Sequence, residues 1–297
     1  MKFPVFLFRE MCILPPMLTL DDRAWQFLSG PYGIDESLPE AIAGLKAAYS
    51  KELLDDIIWE RIYHQNTLYE NTFAAIPHLL ELVVDSTDAE MQLDMLCNLA
   101  VLISEDYNPP LRDTIPAEYR DNTNVTPGQI RSIYNDYLLA LEQLPALCTT
   151  LLPVARAGSE EDDKTYFLAA MAVAYGQRAF ARVFIRYNSG EEYIAHCEAC
   201  GTDTFIWPKE DRLLCFREDP AFHKEQEAFP ITPHPDPTPS WESTTITAAN
   251  SYAWGYHVLS QLDMPTLKDH WPYLFGTASC PDCGESWNVF ESILAGM

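Results

Sequence analysis

Two short cysteine knuckles constrain this chain more than any other feature. Cys197-Glu198-Ala199-Cys200-Gly201 and Cys280-Pro281-Asp282-Cys283-Gly284 are each C-x2-C followed at once by glycine. A C-x2-C turn lets both sulfurs face one ion, and two such turns make a four-thiolate tetrahedral site for zinc. The glycine supplies the positive φ that such a turn often needs. Each knuckle runs on into an aromatic, strand-like stretch, residues 204–207 after the first and 287–290 in the second. The expectation is a small zinc ribbon with one structural ion on Cys197, Cys200, Cys280 and Cys283. Four thiolates leave no open position for water, so no reaction is expected at that ion. His196 adjoins Cys197, but four cysteines already complete the shell. About eighty residues separate the knuckles, so a sizeable insertion lies between the two halves of the ribbon.

Two disulfides or a redox dithiol are the alternatives for the same thiols. A disulfide framework is a device of small secreted domains, and a chain of 297 residues can bury a core without one. Of the other four cysteines, Cys97 and Cys148 lie in apolar, helix-like runs and read as buried thiols, while Cys12 and Cys215 are scattered. The apolar stretch at residues 3–8 is interrupted by Pro4 and ended by Arg9-Glu10, too short for a signal-peptide core or a spanning helix. No membrane segment is expected, and a reducing cytoplasm fits both the thiols and the missing signal.

Charge narrows the partners. Acidic residues number 44 against 19 basic, a net charge of −25. The excess runs along the whole chain, and four thiolates around one divalent ion deepen it. Such a field repels phosphate backbones, so nucleic acid is not an expected ligand even with a zinc ribbon present. A basic protein is the expected partner; simple solubility is the plainer account of the same charge.

Upstream of the knuckles the pattern is helical. After an irregular segment, 1–36, Ser37-Leu38-Pro39-Glu40 reads as a capped helix start. Apolar residues then recur at helical spacing over 40–49, 51–63, 68–84, 89–103, 129–144, 146–157, 164–175 and 179–186, with Pro77 inside the third helix and a breaker-rich insertion at 107–128. The acidic run 159–163 suits a helix N-terminus. A P-x-L core recurs at Pro77-His78-Leu79 and Pro145-Ala146-Leu147, an offset of 68 residues, or two units of about 34. The predicted fold is mainly α: a HEAT-like helical array over 37–190, then a small α+β zinc-ribbon domain over 191–297. That domain carries an inserted proline-rich loop (217–245) and helices (246–275).

Several of these residues also carry a resemblance. His64-Gln65-Asn66 sits between two helices, Ala75-Ile76-Pro77-His78-Leu79 follows, and a later Tyr166-Phe167-Leu168-Ala169-Ala170-Met171-Ala172 helix leads to Cys197 and Cys200. Together they resemble a largely uncharacterised group of bacterial HEAT-repeat-like proteins, over residues 40–205. Asn66 stands where those proteins more usually have glycine. The resemblance implies an α-solenoid. Because some members look like immunity proteins beside secreted toxins, it also implies toxin neutralisation.

His64, Gln65 and His78 are the candidate partner-binding residues, a polar set in a helical groove. Each histidine has a structural alternative: His64 bonding the last carbonyls of a helix, His78 donating to the carbonyl that Pro77 leaves free. The leading expectation is a non-catalytic, acidic interaction protein, in its most specific form an immunity protein that neutralises a bacterial toxin domain. The alternatives are an enzyme using His64, His78 and nearby carboxylates in one groove, and a zinc-ribbon adaptor.

Overall fold

Short polar residues start several helices where turn-formers give way to apolar periodicity. Ser50 Oγ accepts from the Leu53 amide, the Asp88 carboxylate accepts from the Glu90 and Met91 amides, and Thr126 and Gln129 form a reciprocal capping box. Ser37, expected to cap in the same way, does not. Its hydroxyl donates to Asp35 and accepts from Arg61.

The computed structural model describes residues 17–158, 161–188, 192–243, 245–247 and 249–297. Residues 1–16 of the expected irregular N-terminal segment, Cys12 among them, and Ser159-Glu160 and Ser189-Gly190 lie outside the described residues. A 3-10 turn, Arg23–Phe27, precedes a hairpin of β1 (Ser29–Gly30) and β2 (Gly33–Ile34), so the segment before residue 37 is not wholly irregular. Helices α1 (Leu38–Ala47) and α2 (Lys51–Asp55) follow, and α2 continues as a π-helix, Asp56–Ile62. A second hairpin, β3 (Tyr63–His64) and β4 (Thr67–Leu68), leads to α3 (Glu70–Asp85), which runs on through Pro77. Then come α4 (Ala89–Ser104), α5 (Pro127–Leu141), α6 (Leu144–Ala157), α7 (Glu161–Ala174) and α8 (Arg178–Arg186). Strands β5 (Tyr193–His196), β6 (Asp203–Lys209), β7 (Arg212–Phe216) and β8 (Phe229–Pro230) form an antiparallel meander. Helices α9 (Ser251–Leu262) and α10 (Pro265–Leu274) precede a last hairpin, β9 (Thr277–Ser279) and β10 (Ser286–Asn288), and α11 (Val289–Ala295). The fold is mainly α with a small α+β part late in the chain, as the sequence predicts.

The chain divides into two compact units, each drawn from two separate stretches. One takes the residues up to Asp85 together with Asn108–Gln143; the other takes Ser86–Tyr107 and Leu144–Met297. The boundary expected at residue 190 falls inside the second of these units. Helices α4, α6, α7 and α8 group with the cysteine knuckles: α4, α6 and α7 pack on one another, α4 and α7 on α8, and α8 shares an aromatic core with α9, α10 and α11. Phe180 and Phe184 of α8 pack on Trp254 of α9, Trp271 of α10 and Phe290 of α11, with ring centroids 5.4–6.3 Å apart. Buried aromatics of this size dominate a core's energetics. In the first unit α3 packs on α5, where Phe73 meets Tyr134 and Tyr137 edge-on.

Among the described residues one helical run, 127–157, is long and apolar enough to cross a membrane by length and composition. Glu142 and the prolines Pro145 and Pro153 interrupt it. A single run of this kind is weak evidence for a span.

Candidate metal centre

Each knuckle closes a β-hairpin, and the two closures match atom for atom. His196 of β5 pairs with Asp203 of β6, and Ser279 of β9 pairs with Ser286 of β10. The Cys197 amide donates to the Thr202 carbonyl and the Gly201 amide to the Cys197 carbonyl, at 3.0 and 2.8 Å. The Cys280 amide donates to Glu285 and the Gly284 amide to Cys280, at 2.8 and 3.0 Å. Gly201 and Gly284 have φ of +75° and +78°, and no atom lies within 4 Å of where a Cβ would stand. Backbone twist, not crowding, is what calls for glycine there.

The hairpins bring the four sulfurs together, all within 4.8 Å of one another. Cys197 Sγ lies 3.7 Å from Cys283 Sγ, and Cys200 Sγ lies 3.7 Å from Cys280 Sγ. A zinc tetrahedron with bonds of about 2.3 Å has sulfur–sulfur edges of about 3.8 Å. A disulfide needs about 2.05 Å. The four thiols are unbridged and compatible with a metal site. The first cysteine of each knuckle is buried and the second exposed.

Electrostatics favour a cation there. The Thr202 hydroxyl and backbone amide hold the Cys200 thiol down to about 6. Cys283 is raised to about 12: the Glu285 amide favours its thiolate, but desolvation and the sulfurs of Cys200, Cys280 and Cys197 outweigh that. Four sulfurs so close cannot all ionise unaided, and a divalent ion removes the repulsion.

One neighbour of the knuckles escaped the sequence. Arg217, just past β7, donates from Nη2 to the Pro281 carbonyl and from Nε to the Asp282 carboxylate at 2.8 Å. The sheet that carries the first knuckle is thus tied to the two residues between Cys280 and Cys283. The available signal was the scarcity of bases after residue 190, not any local spacing. His196 is not among the clustered ligand residues, and its Nδ1 lies 2.9 Å from the Asp203 carboxylate. Cys148 and Cys215 are buried thiols, each pushed up to about 12 by burial. Cys97 is pushed up further by burial and then by Cys148.

The candidate partner-binding residues separate. His64 and Gln65 lie in the β3–β4 hairpin, where Gln65 is exposed and the His64 ring sits 5.6 Å from that of Tyr32. The turn is of the I′ kind, with φ of 47° at Gln65 and 58° at Asn66. Asn66 can stand in for glycine because its short polar side chain tolerates the left-handed region. His78, by contrast, is 4% exposed. Its Nε2 bonds the Leu18 carbonyl at 2.8 Å and its Nδ1 the Lys46 ammonium at 3.0 Å. The carbonyl it serves is that of Leu18, not the one Pro77 leaves free, and burial removes it from any partner-binding surface. None of these contacts joins His64 to His78.

No known protein family, characterised protein or solved structure matches the chain.

Proposed function

We propose that the chain is a non-catalytic interaction protein that holds one structural zinc ion and docks a basic protein. The observation that carries the metal assignment is the pair of 3.7 Å sulfur–sulfur edges that span the two knuckles. Four thiolates complete a tetrahedral shell, so the ion's work is to hold the hairpins together. Metal analysis of the purified protein is expected to give one zinc per chain, lost in Cys280→Ser. A chain that binds no stoichiometric metal would end this reading.

The docking part rests on the net charge of −25 and on the separation of His64 from His78, the residues on which an acid–base site would depend. In its most specific form the protein is a bacterial immunity protein, cytoplasmic, whose acidic surface blocks a toxin domain. The brief connection between α7 and α8, which pack on each other, favours a HEAT-like helical hairpin within its framework. Steered association of this kind is fast and weakens steeply with salt. Co-purification at low ionic strength is expected to yield a stoichiometric basic protein that raised salt releases. Recovery of a small metabolite that the chain turns over would refute the proposal.

A further inference from the structure

Two hairpin tips in the first unit form a rigid surface that no reaction or metal accounts for. On the β1–β2 hairpin, Tyr32 is 73% exposed and Ile34 52% exposed, on either side of Gly33 with φ of +100°. The β3–β4 tip lies beside them through the His64–Tyr32 ring contact. At that tip Gln65 holds a left-handed conformation that costs an ordinary side chain strain. Exposed large apolar groups on strained, ordered tips are a recurrent mark of a binding surface.

What makes the tips rigid is a buried polar frame at the start of α3. The Glu70 carboxylate, 5% exposed, accepts from both the amide and the hydroxyl of Ser29, at 2.7 and 2.9 Å. Asn71 Nδ2 donates to the Arg61 carbonyl at 2.9 Å, and the Thr72 hydroxyl donates to the Ile62 carbonyl. These are the last two carbonyls of the π-helix. Gly30 packs so closely on this frame that a Cβ would lie 2.6 Å from both Arg61 O and Asn71 Nδ2. A buried carboxylate and a glycine contact fix the hairpin before any partner arrives, and preorganisation of this sort lowers the entropic cost of binding.

The chemistry of the occupant follows from charge. A cleft of about 270 Å³ runs between the hairpin and the π-helix, lined by Tyr32, Ile34, Asp35, Glu60 and Arg61 among others. Its segments carry four carboxylates, Asp35, Glu36, Asp56 and Glu60, against one base. That base, Arg61, is bonded to Asp35 and to Asp56. Glu36 and Glu60 are exposed and unmatched among the described residues.

We infer that this face, Tyr32 and Ile34 with Glu36 and Glu60, is where a basic partner docks. It would receive a lysine or arginine whose aliphatic stem lies on Tyr32 and whose head reaches Glu60, beside an apolar side chain on Ile34. The inference rests on the proposed docking function and places it. The test titrates the full, metal-loaded chain with Ac-Ala-Leu-Arg-Leu-Lys-Ala-NH2 and with its Glu/Asp counterpart, followed by amide NMR. The expected result is shifts at residues 32–36, 60–61 and 64–66 with the basic peptide alone. Tyr32→Ala, which leaves the charge unchanged, is expected to weaken binding at least tenfold, and Glu60→Lys to abolish it. Shifts by the basic peptide elsewhere, unaffected by Tyr32→Ala, would overturn this face and leave docking intact. No shift with either peptide at low salt would overturn both.

Discussion

Burial, and then the adjacent Lys46 charge, lower the His78 pKa to about 4 and keep the ring neutral. An imidazole in the unfolded chain titrates near 6.5. Between those values the unfolded chain takes up a proton that the folded chain refuses. The stability from His78 is therefore complete above pH 6.5 and is lost as pH falls towards 4, by about 3 kcal/mol in all. Asp136 acts in the opposite sense. Burial raises its carboxyl from 3.8 to about 6, so ionisation penalises the folded state as pH rises through that window. Asp136→Asn is expected to stabilise the protein clearly at pH 7 and much less at pH 4. Denaturant unfolding at the two pH values checks this, and an equal gain at both would contradict it. A third residue effect concerns metal. Arg217→Ala is expected to lower zinc affinity about 10- to 100-fold, as loss of an outer-shell contact does, read by competition with a chelator. Unchanged affinity would show that the contact with Pro281 and Asp282 is incidental.

Elements show what the sequence could disclose and what it could not. Helices α1, α4 and α5 were legible because their apolar residues recur at helical spacing, and the knuckle hairpins because C-x2-C-G fixes a turn locally. The β3–β4 hairpin was legible only as a turn, since two residues at positive φ leave no periodic trace. Residues 289–290 were expected in a strand. They begin α11 instead, because the Asn288 side chain accepts from the Glu291 amide and caps the helix. Long-range placements such as Glu70 on Ser29, or Arg217 on Asp282, have no local signature at all. Gly255 of α9 shows the same dependence on packing: a Cβ there would fall 2.1 Å from the Trp271 ring. Trp271 cannot yield easily, being fully buried with its Nε1–H donated to the Tyr252 carbonyl. Gly255→Ala improves helix propensity by about 1 kcal/mol, yet overpacking of about 1–3 kcal/mol or more outweighs it. A lower midpoint in thermal unfolding is the expected outcome.

At the scale of the whole molecule, the knuckles are not an appendage. Helices α8 and α11 share one aromatic core through Phe180, Phe184 and Phe290, and α11 packs on β5 and β10 of the knuckle hairpins. Removing metal is therefore expected to loosen α8, α9 and α10 along with β5 and β6. Hydrogen exchange after chelation should show lost protection there, with α3 and α5 in the first unit retaining theirs. Protection that survives throughout the second unit would mean that the aromatic core holds without the ion.

The spacing of the knuckles has a consequence for biosynthesis. A ribosome releases Cys197 and Cys200 about eighty residues before Cys280 and Cys283, so a nascent chain can offer only half a coordination shell for most of that interval. Closure has to wait for the final hairpin, and an early stop anywhere before Cys283 leaves α8 facing an incomplete core. A bound ion would thereby couple closure of the second unit to the emergence of every residue through Cys283.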